Sequence, residues 1–130
     1  MAAKQQTPLG LFNEKLISFF RDLSETYPEE KDIKMALEAI EGAKKINPRL
    51  IHDLFLENVS KPLHDDILAG NDEKIIGYAK ATIATQYNDM LVALNIFNKH
   101  WPDMTENNRQ AIRNYLKVLV LLSDNYMKTR

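Results

Sequence analysis

The chain divides into helix-sized segments that each carry one apolar stripe, and short polar breaks separate them. The clearest stripe repeats at alternating intervals of four and three residues, through Ile83, Tyr87, Met90, Leu94, Phe97 and Trp101. This spacing places every member on one side of an α-helix. Because Leu91, Ala93 and Ile96 widen the apolar face, the pattern favours a helix packed in its own domain over a coiled-coil partner surface.

Proline residues punctuate the amino-terminal half and predict where its helices begin and end. A first helix is expected from about Leu9 to Thr26, and its apolar side contains Phe12, Leu16, Phe19, Phe20 and Leu23. Pro28 breaks that pattern and can open a second helix that runs to about Ile46. Pro48 opens a third helix. The inward face of this third helix is expected to hold Leu50, Ile51, Leu54 and Phe55.

The segment after the third helix predicts a surface elbow. Pro62 opens a short helical turn, and Gly70 followed by Asn71 and Asp72 supplies a stop and a new amino cap. Pro102 ends the long helix that carries the clearest stripe. A last helix, capped by Thr105, is expected to bury Ile112, Tyr115, Leu116, Leu119 and Leu122. No segment has a convincing strand pattern, so we predict an all-α fold, a single compact bundle of five or six helices.

Length and composition predict an N-terminal arm over residues 1–8 and a single helical domain over residues 9–130. A domain of this size can bury roughly two-thirds of the surface that its unfolded chain exposes. The sequence contains no cysteine, which is more typical of an intracellular protein than of a small secreted one. No stretch approaches the roughly 20 apolar residues that a membrane-spanning helix needs. We therefore predict an intracellular protein without a membrane span.

Charge patterning marks two basic clusters as candidate partner-binding sites. The net charge of −1 argues against a generic nucleic-acid or membrane binder, because such binding draws on a strong positive field. Three basic residues nevertheless recur at every fourth position of the last helix, namely Arg109, Arg113 and Lys117. Three more flank the break after the second helix, namely Lys44, Lys45 and Arg49. In both places a solvated helix face is the alternative to an anionic-partner site.

Residues that would support catalysis or cofactor binding are scarce. The sequence has no glycine-rich phosphate loop, no nucleophile elbow and no histidine pair spaced to chelate a metal from one helix face. His64, with Asp65 and Asp66, is the most suggestive group. Adjacent residues on a helix point in different directions, which favours a polar surface over an acid–base or metal site. We predict a non-enzymatic protein with no catalytic residue, no metal site and no cofactor.

Five short motifs lie between Phe19 and Asp72, within a match that covers about residues 11–122. They are Phe19-Phe20-Arg21-Asp22-Leu23, Tyr27-Pro28-Glu29, Ile46-Asn47-Pro48, Lys61-Pro62 and Gly70-Asn71-Asp72. Together they resemble a family of short helical proteins encoded by nucleocytoplasmic large DNA viruses of algae and amoebae. The resemblance implies a viral context and a role as a component or accessory of the virion. It brings no catalytic residues to this chain.

Two functional hypotheses result. The first is a non-enzymatic protein–protein interaction module, a minor capsid or internal component of the virion. Its partners would be other viral proteins or further copies of the chain, in the host cytoplasm or nucleus during infection and in the virion. The alternative is a nucleic-acid-associated or transcription-linked viral regulator that uses the last helix and the cluster around Arg49. That alternative predicts binding that falls steeply with salt.

Overall fold

The structure, a computed structural model, describes residues 7–85 and 99–129. All regular secondary structure in these two ranges is helical, and the helices pack against each other compactly, which confirms the predicted all-α fold. Of the clearest sequence stripe, which runs from Ile83 to Trp101, the members from Tyr87 to Phe97 lie outside the described residues. The helices are α1 (Pro8–Thr26), α2 (Lys31–Ile46), α3 (Pro48–Phe55), α4 (Lys61–Ala69), α5 (Asp72–Thr85) and α6 (Glu106–Thr129).

Helix α1 packs against α2, α3 and α6. Its five predicted core residues are all buried, as expected from their spacing. Thr7 caps the helix, because its Oγ1 accepts a hydrogen bond from the Gly10 N–H at 3.0 Å. The helix therefore begins at Pro8, one residue before the predicted start and inside the predicted arm. Residues 1–6 of that arm lie outside the described residues.

Two expectations for the next helices were wrong. Helix α2 begins at Lys31, because Pro28 lies in a turn in which the Glu30 N–H donates to the Tyr27 carbonyl at 2.9 Å. The Glu30 side chain reaches the segment near residue 100, a contact that local pattern does not reveal. In α3, Leu50 is 44% exposed, and the buried position beside Ile51 belongs to His52.

Helices α3 and α4 are joined by a π-helical segment, Leu56–Ser60, where a surface elbow had been expected. Pro62 explains the widened turn, because proline lacks an N–H and its ring clashes with the carbonyl four residues earlier. That carbonyl belongs to Asn58. Tyr78 on α5 donates its hydroxyl to the Asn58 carbonyl at 2.6 Å and so replaces the missing helical hydrogen bond.

Replacing Tyr78 with phenylalanine is expected to lower the free energy of unfolding by about 1 to 2 kcal/mol, because the hydrogen bond from the Tyr78 hydroxyl to the partly buried Asn58 carbonyl is lost. Urea denaturation would measure the change. A double variant, Tyr78→Phe with Pro62→Ala, restores an N–H at position 62 and is expected to recover part of the loss. An unchanged unfolding free energy in the single variant would contradict this explanation of the π-helical segment.

The end of α4 and the start of α6 lie where the sequence predicted them. Gly70 ends α4 with a left-handed backbone (φ 74°), which glycine adopts without a steric penalty. The Thr105 Oγ1 accepts a hydrogen bond from the Asn108 N–H at 3.2 Å at the start of α6. Of the predicted core residues of α6, Ile112, Leu116 and Leu119 are buried, whereas Tyr115 and Leu122 are half-buried. None of the described helices combines the length and apolar character that a membrane crossing requires.

Candidate functional site

The turn from α2 to α3 presents a continuous exposed segment. Residues 44–50 are all exposed, and three of them are basic while none is acidic. We call this segment the basic corner; its charged members are Lys44, Lys45 and Arg49. Ile46 lies at its centre with 87% of its surface exposed. The structure therefore leaves the three cations of one predicted basic cluster exposed, in the same segment as an exposed apolar side chain.

One hydrogen bond from α1 and two local backbone hydrogen bonds hold the backbone of the basic corner. Asn13 of α1 is 1% exposed, and its Nδ2 donates to the Pro48 carbonyl at 3.2 Å. The Asn47 N–H donates to the Ala43 carbonyl at 2.7 Å, and the Leu50 N–H donates to the Asn47 carbonyl at 3.1 Å. Pro48 also restricts its own φ angle. The corner is thus presented to solvent in a fixed shape.

Sequence reasoning missed Asn13 as a support of this corner. The available signal was an asparagine next to Phe12 on the apolar side of the first helix, where a buried polar side chain needs a hydrogen-bonding partner. The pattern could not name that partner, because Pro48 is 35 residues away in the sequence. Tyr126 was also missed; its hydroxyl accepts a 3.4 Å hydrogen bond from the Arg49 Nε.

A groove of about 490 Å³ between α1 and α2 adjoins the basic corner. Lys44, Lys45 and Arg21 supply its positive charge, and Glu14 and Glu41 supply negative charge. The groove therefore has mixed charge, and two acidic residues lie beside the lysines of the basic corner. Lys44 and Lys45 also lie in the last turn of α2, where cations favourably interact with the negative end of the helix dipole.

The three residues of the second basic cluster differ in their contacts with the rest of the chain. Arg109 donates hydrogen bonds of 2.7 and 3.0 Å to the Trp101 carbonyl. Arg113 donates to Asp72 and Glu106, each at a shortest distance of 2.7 Å, and these two carboxylates raise the pKa of its guanidinium. Both guanidinium groups also lie 5.3 Å from the ring of Trp101. Two of the three predicted residues are therefore engaged within the chain, and Lys117 is half-exposed.

His64 has two carboxylate neighbours, of which only one was expected. Its Nδ1 lies 3.0 Å from Asp65, and its Nε2 lies 2.8 Å from Asp124 on α6. Asp66 instead accepts a hydrogen bond from Asn71. Hydrogen bonding to Asp124 and then to Asp65 raises the pKa of His64, because both nitrogens can donate only in the protonated ring. The group ties α4 to α6 through a charge-assisted contact.

His100 joins the loop before α2 to the segment before α6. Its Nε2 lies 2.8 Å from Glu30, and its ring stacks on Tyr27 with centroids 4.3 Å apart. The donor atoms of Glu29, Glu30 and His100 lie within 4.8 Å of one another, a grouping that could hold a metal ion. The Lys99 ammonium already donates to both Glu30 oxygens, at 2.8 and 3.0 Å. Hydrogen bonds from Lys99 and then from His100 lower the pKa of Glu30.

His52 lies within the core between α3 and α6. Its Nε2 is 2.6 Å from the Ser123 Oγ, and its ring makes edge contacts with Phe12 and Tyr126 at centroid distances of 5.0 and 4.6 Å. Both His52 and Ser123 are 0% exposed. A serine activated by histidine needs access to substrate, so this pair serves packing rather than nucleophilic chemistry.

Comparisons of the chain with protein families, with curated proteins and with solved structures each found no match. Indications of function therefore come from the exposure, charge and contacts of the residues at each site. Among the arrangements described above, the basic corner is the one that leaves both its charged and its apolar groups exposed to solvent.

Proposed function

We propose that this chain is a non-enzymatic protein–protein interaction module that binds an acidic surface of a partner protein through its basic corner. The observation that carries the proposal is Ile46, which is 87% exposed at the end of α2, in the same exposed segment as Lys44, Lys45 and Arg49. Ile46 can enter an apolar depression on the partner while the three cations meet carboxylates around it.

The fixed shape of the corner supports this role. A segment that is ordered before binding loses less conformational entropy when it binds, and more of the contact energy then appears as affinity. Asn13 provides that order from inside the bundle. Exposed charges of one sign mainly accelerate association, whereas a central buried side chain mainly slows dissociation. The corner contains both kinds of group.

The chemistry of the corner favours a different protein as partner over a second copy. Two basic corners brought face to face would repel each other, since neither contains an acidic residue. The sequence resemblance to proteins of large DNA viruses adds the proposal that the partner is another virion protein, in the capsid or inside the particle. On this proposal the chain acts within infected cells and in the virion.

The nucleic-acid regulator has less support from the same observations. Arg109 and Arg113, two of its six candidate phosphate-binding residues, are engaged with Trp101, Asp72 and Glu106. Each phosphate contact contributes about one unit to the salt dependence of binding. The three cations of the basic corner alone would give only weak binding.

The test begins with a photo-crosslinking amino acid at position 46, in cells or particles where the chain is naturally made, to identify the protein that contacts the corner. The purified partner is then titrated with variants. Ile46→Asp is expected to weaken binding by about thirtyfold, or about 2 kcal/mol. Lys44→Glu with Lys45→Glu is expected to slow association and reduce its salt dependence.

Met35→Asp is the matched control, because Met35 is also an exposed apolar residue of α2, at 65% exposure, and lies outside the basic corner. Thermal unfolding of each variant checks that the fold is retained. Equal affinities of Ile46→Asp and Met35→Asp would contradict the proposal. Binding to a 24-base-pair DNA duplex that is lost in the lysine variant, together with no crosslinked protein, would favour the nucleic-acid regulator instead.

The copy number of this chain in purified virus particles, relative to the major capsid protein, tests the virion assignment separately.

A further inference from the structure

A half-open cavity of about 240 Å³ lies between the last turns of α1 and the first half of α6. Its floor is apolar, since Phe19, Leu23 and Ile112 are each at most 6% exposed. Two half-buried tyrosines, Tyr27 and Tyr115, also line it. The cavity is smaller than most sites for drug-sized ligands, which are about 300 to 1,000 Å³, and fits one short chain or one side chain.

The charge around the cavity is negative. Asp22 and Glu25 line it, and none of its lining residues within the described ranges is lysine, arginine or histidine. Both carboxylates lie near the carboxyl end of α1, whose last turn has no basic residue. The negative end of the helix dipole disfavours acidic side chains there and favours a cation. The sequence therefore keeps locally unfavourable charges at the mouth of a cavity, a pattern typical of a functional site.

Tyr115 orients one of these carboxylates. Its hydroxyl donates a hydrogen bond to the Asp22 Oδ2. Burial and then the contact with Asp22 raise the pKa of Tyr115 to about 12. The rings of Phe19 and Tyr115 lie 5.0 Å apart. The Lys15 ammonium lies 4.8 Å from the centre of the Tyr115 ring, but Lys15 does not line the cavity.

We propose that this cavity binds an ammonium group carried on a short apolar stem. The stem would lie on the apolar floor beside Tyr27 and Tyr115, and the positive head would meet the carboxylates of Asp22 and Glu25 at the mouth. The carboxylates exclude anions by repulsion. Two sources supply this chemistry, a free small amine and a lysine side chain of another protein. The inference is separate from the basic corner, which Asn13 supports near the opposite end of α1.

Isothermal titration with n-hexylammonium chloride, n-hexanol and Nα-acetyl-lysine N-methylamide tests the proposal on the full chain. The ammonium is expected to bind about tenfold more tightly than the alcohol, because hydrogen bonds from a cation to carboxylates contribute roughly 1.5 kcal/mol more. Equal binding of n-hexylammonium and n-hexanol, or no binding of either, would overturn it. Tighter binding of the lysine derivative than of n-hexylammonium assigns the site to a protein side chain, and the reverse order assigns it to a free amine.

Variants locate the binding. Asp22→Asn keeps an oxygen that accepts from Tyr115, and we expect it to weaken n-hexylammonium binding about fivefold or more. Glu38→Gln removes one negative charge from the exposed face of α2 and is the matched control, with affinity expected within twofold of the original. Ala111 lines the cavity with an exposed side chain, so Ala111→Leu fills the space without entering the core and is expected to abolish binding. If all three variants bind alike, the proposed site is wrong.

Discussion

Replacing Phe12 with alanine is expected to lower the free energy of unfolding by about 3 to 5 kcal/mol, the largest effect that we predict for a single substitution in this chain. Phe12 is 0% exposed, and its ring makes edge contacts with His52 and Phe55 at centroid distances of 5.0 Å each. Truncation removes the apolar area and leaves a cavity where α1 meets α3. Since domains of this size are stable by only about 5 to 15 kcal/mol, the variant would be close to unfolding.

Urea denaturation followed by circular dichroism would measure this loss. Leu11→Ala is the control, because Leu11 is the preceding residue of the same helix and is 41% exposed. Its expected loss is about 0.5 kcal/mol. Phe12→Leu should recover part of the stability, as leucine refills most of the cavity. Similar losses for Phe12→Ala and Leu11→Ala would contradict the packing described for α1.

Replacing Arg113 with methionine is expected to lower the free energy of unfolding by about 2 kcal/mol. Removing one partner of a buried ion pair costs about 3 to 5 kcal/mol, and partial exposure reduces this figure through solvent screening. The side chains of Arg113 and Asp72 are 19% and 23% exposed. The substitution leaves Asp72, which begins α5, without its bidentate partner on α6 and also removes the guanidinium from the Trp101 ring.

A double-mutant cycle with Asp72→Asn isolates this contact, and we expect a coupling energy of about 1 kcal/mol or more. Lys117→Met, one turn further along α6, is the control and should change stability by less than about 0.5 kcal/mol. The comparison also separates two roles for the predicted row of cations. If Arg113 served mainly to bind phosphates, Arg113→Met would leave stability unchanged and weaken binding to DNA.

Local pattern accounts for most of the helix boundaries. The Asn47-Pro48 break, the stop at Gly70 and the cap at Thr105 each depend on backbone chemistry within a few residues, so the sequence could predict them. The start of α2 was predicted three residues too early, because Pro28 permits a helix start but does not require one. The contacts of Glu30 with Lys99 and His100 come from 69 and 70 residues away.

For the candidate site, too, the sequence identified the residues but not their tertiary contacts. The sequence identified Lys44, Lys45 and Arg49 because their charges flank a visible break. It identified Arg109, Arg113 and Lys117 because they recur at every fourth position of the last helix. Only the fold shows that the first group stays exposed while the two arginines bind Trp101, Asp72 and Glu106. A helical repeat of charge predicts which residues share a face, but it does not show which other segment packs against that face.

The sequence alone determined that this chain forms amphipathic helices with defined breaks, because helical periodicity, proline and glycine act through the backbone over distances of a few residues. The tertiary structure determined which residues that are distant in the sequence come into contact. It placed the buried Asn13 at the carbonyl of Pro48, the Tyr78 hydroxyl at the carbonyl of Asn58, and Asp22 at a cavity beside Tyr115. Each of these contacts joins residues at least 20 positions apart, and a polar group finds such a partner only after the helices have packed.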